Sequence, residues 1–476
     1  MSPGANREEK ITEMHAIIDR DFDSLVEDLR GNMAIPSVLD ETVSTAEHPF
    51  GPRLTEALED FLRRGKTLGF QSKNLENSVG FLEMGEGKEL LGILCHLDVM
   101  PAGERNLWAC DPFAGELRDG RLYGRGTIDD KGPAMASLYA MKAVREAGIP
   151  IPKRVRLIVG LDEESGSRCM RRYLESEEIP SSSFSPDAAF PVVNAEKGIL
   201  RVRMDREFTE SREETRLVRI VAGDRLNTVP SVALATFSGI SEKQLAACIG
   251  IREGVQVEPA GDLVVVRSLG KAAHAMEPWK GKNALLALLE VLRDIPYGPS
   301  QVKETMNRLA VLLGVEFDGR SLGIAASDEV SGVLSCNPAY MRFEENSFSL
   351  RFDIRYPVKA DSERLIGQLN NVAESLGCEF SVITHKPPLF VEKESPLVSS
   401  LLKAYEEVTG EKGEALGFGG GTYCRYFPNS VSFGPVFPGE EETAHRANEY
   451  VTLESLRKMT QIFANAIVLL SKEEGE

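Results

Sequence analysis

A histidine and an aspartate close the apolar run "LLGILCHLDVM", residues 90–100, as His96 and Asp98. The run reads as a buried strand, so the pair stands at a strand tip. Three further acidic stations follow. They are Asp129 and Asp130 in "GRGTIDDKGP", Glu163 and Glu164 in "LDEESGS", and Asp187 in "SPDAAFPVVNAEKG". His445 stands far downstream in "GEEETAHRANEY". Imidazoles and carboxylates without thiolate suit zinc, manganese or cobalt. Two such ions about 3.5–4 Å apart need a carboxylate between them, and water held there is the nucleophile of metal-assisted hydrolysis. A nearby carboxylate must take the proton of that water. The doublet Glu163–Glu164 can divide the labour, one as base and one as ligand. Each signal has a bland reading. A lone histidine is usually a core or surface residue, a Glu-Glu pair a solvated face, and Asp130 before "KGPAMAS" a helix cap. Their joint placement after strands is what favours a metal site.

The elements that must position these groups can be read from periodicity. Apolar positions at helical spacing mark a helix over 12–31, closed by Gly31, and a second covers 54–69. Strands are expected at 78–84 and 90–96. A turn-rich segment then feeds a helix ending near Gly148, and "KRVRLIVGLDEESGS" is a strand running into acids. This alternation predicts an α/β fold with a largely parallel sheet, in which sites form at the carboxyl ends of strands. From about residue 199 the texture changes. "GILRVRMDREF", "TRLVRIVAG", "DLVVVRSLG" and "NSFSLRFDIRYP" alternate apolar and polar residues, as half-buried antiparallel strands do. Helices are expected at 283–294, 301–313, 361–377 and 453–471. The expected organisation is a two-domain one. A mostly parallel catalytic domain is built from 1–198 and 387–476, and an α+β lid domain over 199–386 is inserted into it.

Bulk properties exclude several function classes. The chain has 476 residues, 42% hydrophobic and 27% charged, with a formal charge of 55 − 73 = −18. That length calls for more than one core. The negative charge argues against nucleic acid or an anionic membrane as partner. No signal peptide is expected from "MSPGANREEK", and no run approaches the ~20 apolar residues that span a bilayer. Seven scattered cysteines, never in a CxxC pair, predict free thiols in a reducing cytoplasm.

Together "CHLDVMPAG", "GRGTIDDKGP", "LDEESGS" and "SPDAAFPVVNAEKG" resemble the M20 metallopeptidases, and within them the PepV-type, carnosinase-like dipeptidases (Xaa-His and beta-Ala-Xaa dipeptidases). "LGKAAHAMEPWKGKNA", "FDIRYP", "GFGGGTYCRYF" and "AHRANEY" agree in order along the chain. The resemblance implies two divalent ions, zinc first and manganese or cobalt as alternatives. His96 and Asp187 would bind one ion, Glu164 and His445 the other, and Asp129 would bridge them through a cis Asp129–Asp130 peptide. Asp98 would orient His96 from behind. Glu163 would be the general base, moving a proton from the metal-bound water to the leaving amine, and the bridging hydroxide so formed would attack.

From the second domain the resemblance brings His274 as donor to the oxyanion, Arg355 as clamp for the substrate carboxylate, and Asn227 as a further substrate contact. Gly420, Gly421 and Thr422 would offer backbone N–H groups to the carboxylate end. The long insertion implies that the oxyanion histidine is supplied in cis, hence a monomer. The expected activity is hydrolysis of dipeptides with a free amino terminus. Two rivals stand beside it: an N-acyl amino-acid deacylase, such as a succinyl-diaminopimelate desuccinylase, and an inactive metal-binding scaffold. His15, His48 and His385 match no motif and are read as structural. Trp108 and Trp279 are read as packing residues.

Overall fold

All seven residues of the strand Leu90–His96 are buried, as an apolar run must be in a sheet covered on both faces. It pairs in parallel with Arg154–Gly160 on one side and Ser182–Ser185 on the other. Ser182–Ser185 pairs in parallel with Ser430–Ser432. The strands Val79–Met84 and Gln71–Leu75 extend the far edge in antiparallel fashion. The edge strand "QSKNL" was not expected from sequence, because four of its five residues are exposed and polar. The computed structural model describes residues 3–209, 213–297, 301–344 and 346–472.

Described residues of Met1–Asn194, Phe390–Leu416 and Gly421–Glu476 form one compact unit. Those of Ala195–Leu389 and Gly417–Gly420 form another. In the first unit, helix Lys131–Glu146 packs against Pro3–Met33 and Leu453–Leu470. The first helix starts well before the expected residue 12. Its opening turns are polar and carry no apolar period, while proline is favoured in a first helical turn. Leu453–Leu470 is capped by Thr452, whose hydroxyl accepts from the Ser455 N–H at 2.9 Å.

The second unit is built on an antiparallel sheet. Its order is Val255–Ala260, Leu263–Leu269, Val232–Ser238, Arg216–Ala222, Ser335–Glu344, Ser347–Tyr356, Gly198–Glu207, Glu379–Lys386. The inner face contributes Leu200, Val202, Ile220, Val266, Leu350 and Phe352 to the core of this unit. Helix Ala284–Leu292, apolar over most of its surface, is capped by Asn283, and Ser362–Ser375 by Asp361. Among the described residues no helix is long and apolar enough to cross a membrane.

Candidate active site

Parallel registration puts His96 opposite Gly160, so the acids that follow Gly160 emerge beside the histidine. Asp187 follows the next strand, Ser182–Ser185, by two residues. Three neighbouring strand tips thus deliver His96, Glu163–Glu164 and Asp187 to one edge of the first unit.

The ring of His96 is fixed by its own loop. Nδ1 lies 2.9 Å from the Asp98 carbonyl oxygen and 3.5 Å from Asp98 Oδ1. A carbonyl only accepts, so Nδ1 carries a proton, and in the neutral ring Nε2 presents its lone pair. Nε2 faces Asp129 Oδ1 at 2.9 Å and Asp187 Oδ1 at 3.7 Å. His445 Nε2 lies 2.8 Å from Asp129 Oδ2 and 3.0 Å from Glu164 Oε1. The two oxygens of Asp129 therefore face two different imidazoles. Donor atoms of His96, Glu163 and Asp187 lie within 4.8 Å of one another, and so do those of Asp129, Glu164 and His445. His96 Nε2 and Glu164 Oε1 are buried and make no aligned hydrogen bond. Imidazole nitrogens and carboxylate oxygens crowded in this way are the donor types that small divalent cations take.

Electrostatics point the same way. Burial disfavours a charged His96, yet Asp129, Asp187 and Asp98 hold its pKa well above the ordinary value. Burial also opposes charge on His445, but Asp129 and Glu164 raise it to about 11. For Asp129 burial pushes upward, and the two imidazoles outweigh it, leaving the carboxyl below the usual range. Burial and the Asp129 charge push Glu164 up to about 7. Burial, with Asp129 adding to it, raises Asp187 to about 6. Burial and the neighbouring Asp187 raise Glu163 well above an ordinary glutamate. The cluster holds more negative charge than its own cations can balance.

Supporting residues fix the loops. Asp98 Oδ2 accepts the Glu164 N–H at 3.0 Å, tying two strand tips together. Asp130 stands at the N-cap position of Lys131–Glu146 but makes no capping bond. Its carboxylate accepts the His96 N–H at 3.1 Å instead, which corrects the helix-cap reading. The Asp129–Asp130 peptide is cis. Asp162 was not singled out from sequence. It accepts from Arg168 N and Nε at 2.9 and 2.8 Å and so closes the turn that carries Glu163 and Glu164.

Asn227, His274, Arg355 and Gly420 belong to the second unit, Gly421 and Thr422 to the first. The Asn227 carbonyl accepts the Ala275 N–H at 2.8 Å, which sets the residue beside the His274 segment. His274 Nδ1 accepts the Met276 N–H at 3.1 Å. A neutral ring in that arrangement carries its proton on Nε2, the tautomer a hydrogen-bond donor needs. Arg355 is buried and is held by Asp353 through Nε at 2.5 Å and Nη2 at 3.1 Å. Its Nη1 donates to the Gly419 carbonyl at 3.3 Å. Ser335 is the cross-strand partner of Arg355, and its hydroxyl donates to the Ala275 carbonyl at 3.1 Å. The Arg355 strand and the His274 segment are linked in this way. A Cβ on Gly420 would collide with the Phe418 ring, and one on Gly421 with Arg425. Neither glycine has a left-handed φ, so a larger residue at either position would be opposed by these side-chain contacts, which would have to move. Thr422 is buried, and its hydroxyl accepts from the Cys424 N–H at 3.2 Å.

The remaining histidines have ordinary partners: His15 meets Asn465 at 2.9 Å, His48 Thr55 at 3.1 Å, and His385 the Tyr356 hydroxyl at 2.7 Å. Trp108 is buried. Trp279 is 46% exposed, so its reading as a packing residue does not hold.

The model of peptidase family M20/M25/M40 matches residues 92–468. "Putative dipeptidase YtjP" of Bacillus subtilis (strain 168) is 37% identical over 466 residues, covering 95% of this chain and 98% of that protein. A similarly named protein of Staphylococcus saprophyticus is 32% identical, again over 95% and 98% of the two chains. Human carnosine dipeptidase 1 has a similar fold, with TM-score 0.59, 15% identity, and coverage of 97% of this chain and 98% of that one. The Saccharomyces cerevisiae dipeptidase Dug1p superposes with TM-score 0.59 at 14% identity, over 98% and 99%.

Proposed function

Since the chain belongs to peptidase family M20/M25/M40, we propose that it is a metal-dependent dipeptidase, cleaving dipeptides with a free amino terminus. The observation that carries this reading is Asp129, with one carboxylate oxygen toward each imidazole at 2.9 and 2.8 Å. His96 and Asp187 would hold one divalent ion, Glu164 and His445 the other, with Asp129 shared. Zinc is the first assignment, and the same donors accept manganese or cobalt. Such ions, when bound, polarise the scissile carbonyl and acidify water.

The chain's own groups do the rest. Glu163 takes the proton of the attacking water and returns it to the leaving amine, and its raised pKa suits a group that must hold that proton. Asp98 keeps His96 in one orientation through the loop it shares with it. His274, with its proton on Nε2, donates to the developing oxyanion. Arg355, with Asn227, Gly420, Gly421 and Thr422, receives the polar end of the substrate. Residues 199–386 act as a lid on a catalytic domain of 1–198 and 387–476, in a cytoplasmic monomer. Names of the relatives support a dipeptide substrate over an N-acyl amino acid.

A substrate panel tests the reading. Metal-stripped protein, reloaded with zinc, manganese or cobalt, is given beta-alanyl dipeptides, alpha-linked dipeptides and N-succinyl or N-acetyl amino acids. Hydrolysis of dipeptides that needs the metal supports the proposal. Preferential release of the acyl group from N-acyl substrates would replace it.

A further inference from the structure

Glu449 is fully buried and lies four residues beyond His445, yet the metal reading gives it no task. Its Oε1 accepts two backbone N–H groups, Gly126 at 2.9 Å and Ile128 at 3.1 Å. Ile128 immediately precedes Asp129. Its Oε2 accepts from Arg125 Nη1 at 2.5 Å. Arg125 is buried too, reaches the Pro101 carbonyl through Nη2 at 3.3 Å, and lies over the Trp108 ring at 5.4 Å. The Glu449 carbonyl accepts the Gly124 N–H at 2.9 Å, and Tyr450 pairs with Tyr123 in a short ladder. The loop that carries His445 is closed by Thr443 and Tyr450, whose hydroxyl and carbonyl meet at 3.3 Å. Asn448 ties that loop to Leu107 and Ala109 through side-chain bonds of 2.9 and 2.7 Å.

One carboxylate therefore holds the backbone just before Asp129 and belongs to the loop that carries His445. Its partner Arg125 reaches the segment that follows Asp98. We infer that Glu449, its charge balanced by Arg125, is a positioning residue that presets Asp129 and His445 for the ion they share. Two N–H groups satisfied by one oxygen fix the peptide that leads into Asp129 before any ion arrives. Prearranged donors bind a cation without first ordering a loop. This inference rests on the metal reading above, and the experiment separates the two.

Breaking one partner of a buried ion pair strands the other charge and endangers folding. The informative variants remove both charges. Arg125→Met with Glu449→Gln keeps an oxygen for Gly126 and Ile128, whereas Arg125→Met with Glu449→Leu does not. Each is titrated with cobalt alone and followed by cobalt absorption and by bound metal per chain. The Gln variant is expected to bind two ions as the wild type does. The Leu variant is expected to keep one ion and bind the second at least tenfold more weakly. Equal second-ion affinity in the two variants overturns the inference, whether that affinity is retained or lost. A second measurement needs neither variant nor metal. Hydrogen exchange of the metal-free wild type is expected to show slow amides at Gly126 and Ile128. Fast exchange there, slowed only by added metal, overturns the preset loop. A wild type that binds no ion counts against the metal reading and leaves the exchange result to judge Glu449.

Discussion

Each unit gathers a cluster of charged groups around buried members, His96 in the first and Asp353 and Arg355 in the second, and the two are unbalanced in opposite directions. In the first unit two imidazoles, His96 and His445, face Asp129, Glu164 and Asp187, with Glu163 close by. In the second a single carboxylate, Asp353, is shared by two guanidiniums, with Arg201 Nε at 2.8 Å and Arg355 Nε at 2.5 Å. One cluster lacks positive charge and the other has it in excess. Burial makes such imbalances costly unless a ligand completes them. The contrast accords with cations at the first cluster and, on the proposed reading, with an anionic substrate end at the second.

The largest expected effect falls on the acid-rich cluster. Replacing Glu163 by alanine should lower kcat by about 10²–10⁴-fold, the usual contribution of a general base. Metal analysis of that variant should still find two ions. Loss of one ion would make Glu163 a ligand, as its closeness to His96 and Asp187 allows. If His274 is the proposed oxyanion donor, His274→Ala should cost about 10²–10³ in kcat with KM little changed, since its Nε2–H would meet charge that develops only in the transition state. An unchanged kcat removes it from the reaction.

Arg355 should respond in KM. Arg355→Lys loses a forked, charge-assisted contact worth about 1.5–3 kcal/mol, so KM should rise roughly 10- to 150-fold while kcat changes less. A KM equal to wild type would separate Arg355 from the substrate. The smallest effect is a pH dependence. Burial raises the Asp353 pKa, but Arg355 and Arg201 outweigh burial and hold it below the ordinary carboxylate value. A depressed folded pKa means stabilisation that is present above the unfolded value of about 3.9 and lost as pH falls through the lower folded value. Denaturant melts of the wild type should weaken below about pH 4, and those of Asp353→Asn should be flatter there.

Much of the acid-rich cluster could be read from the sequence, because an apolar strand that stops on His96 and a second that stops on Glu163–Glu164 mark adjacent strand tips. The double role of Asp129 was not readable from residue types. It depends on two imidazoles hundreds of residues apart, and only the family resemblance suggested it. Asp353 carries a usable signal in its spacing. In an alternating strand residues i and i+2 share a face, so "FDIRYP" already sets Asp353 beside Arg355. Glu449 gave no local signal, since its partners Gly126 and Ile128 lie more than 300 positions away and are backbone groups. Long-range contacts to main-chain atoms leave no pattern in side-chain type.

The most direct test of the account is a metal titration of chelator-stripped protein, with dipeptide hydrolysis measured at each addition of zinc, manganese or cobalt. The account predicts saturation at two ions per chain, no turnover in the stripped protein, and recovery of turnover as both ions bind. Full dipeptide hydrolysis without metal, or saturation at a single ion, would contradict it.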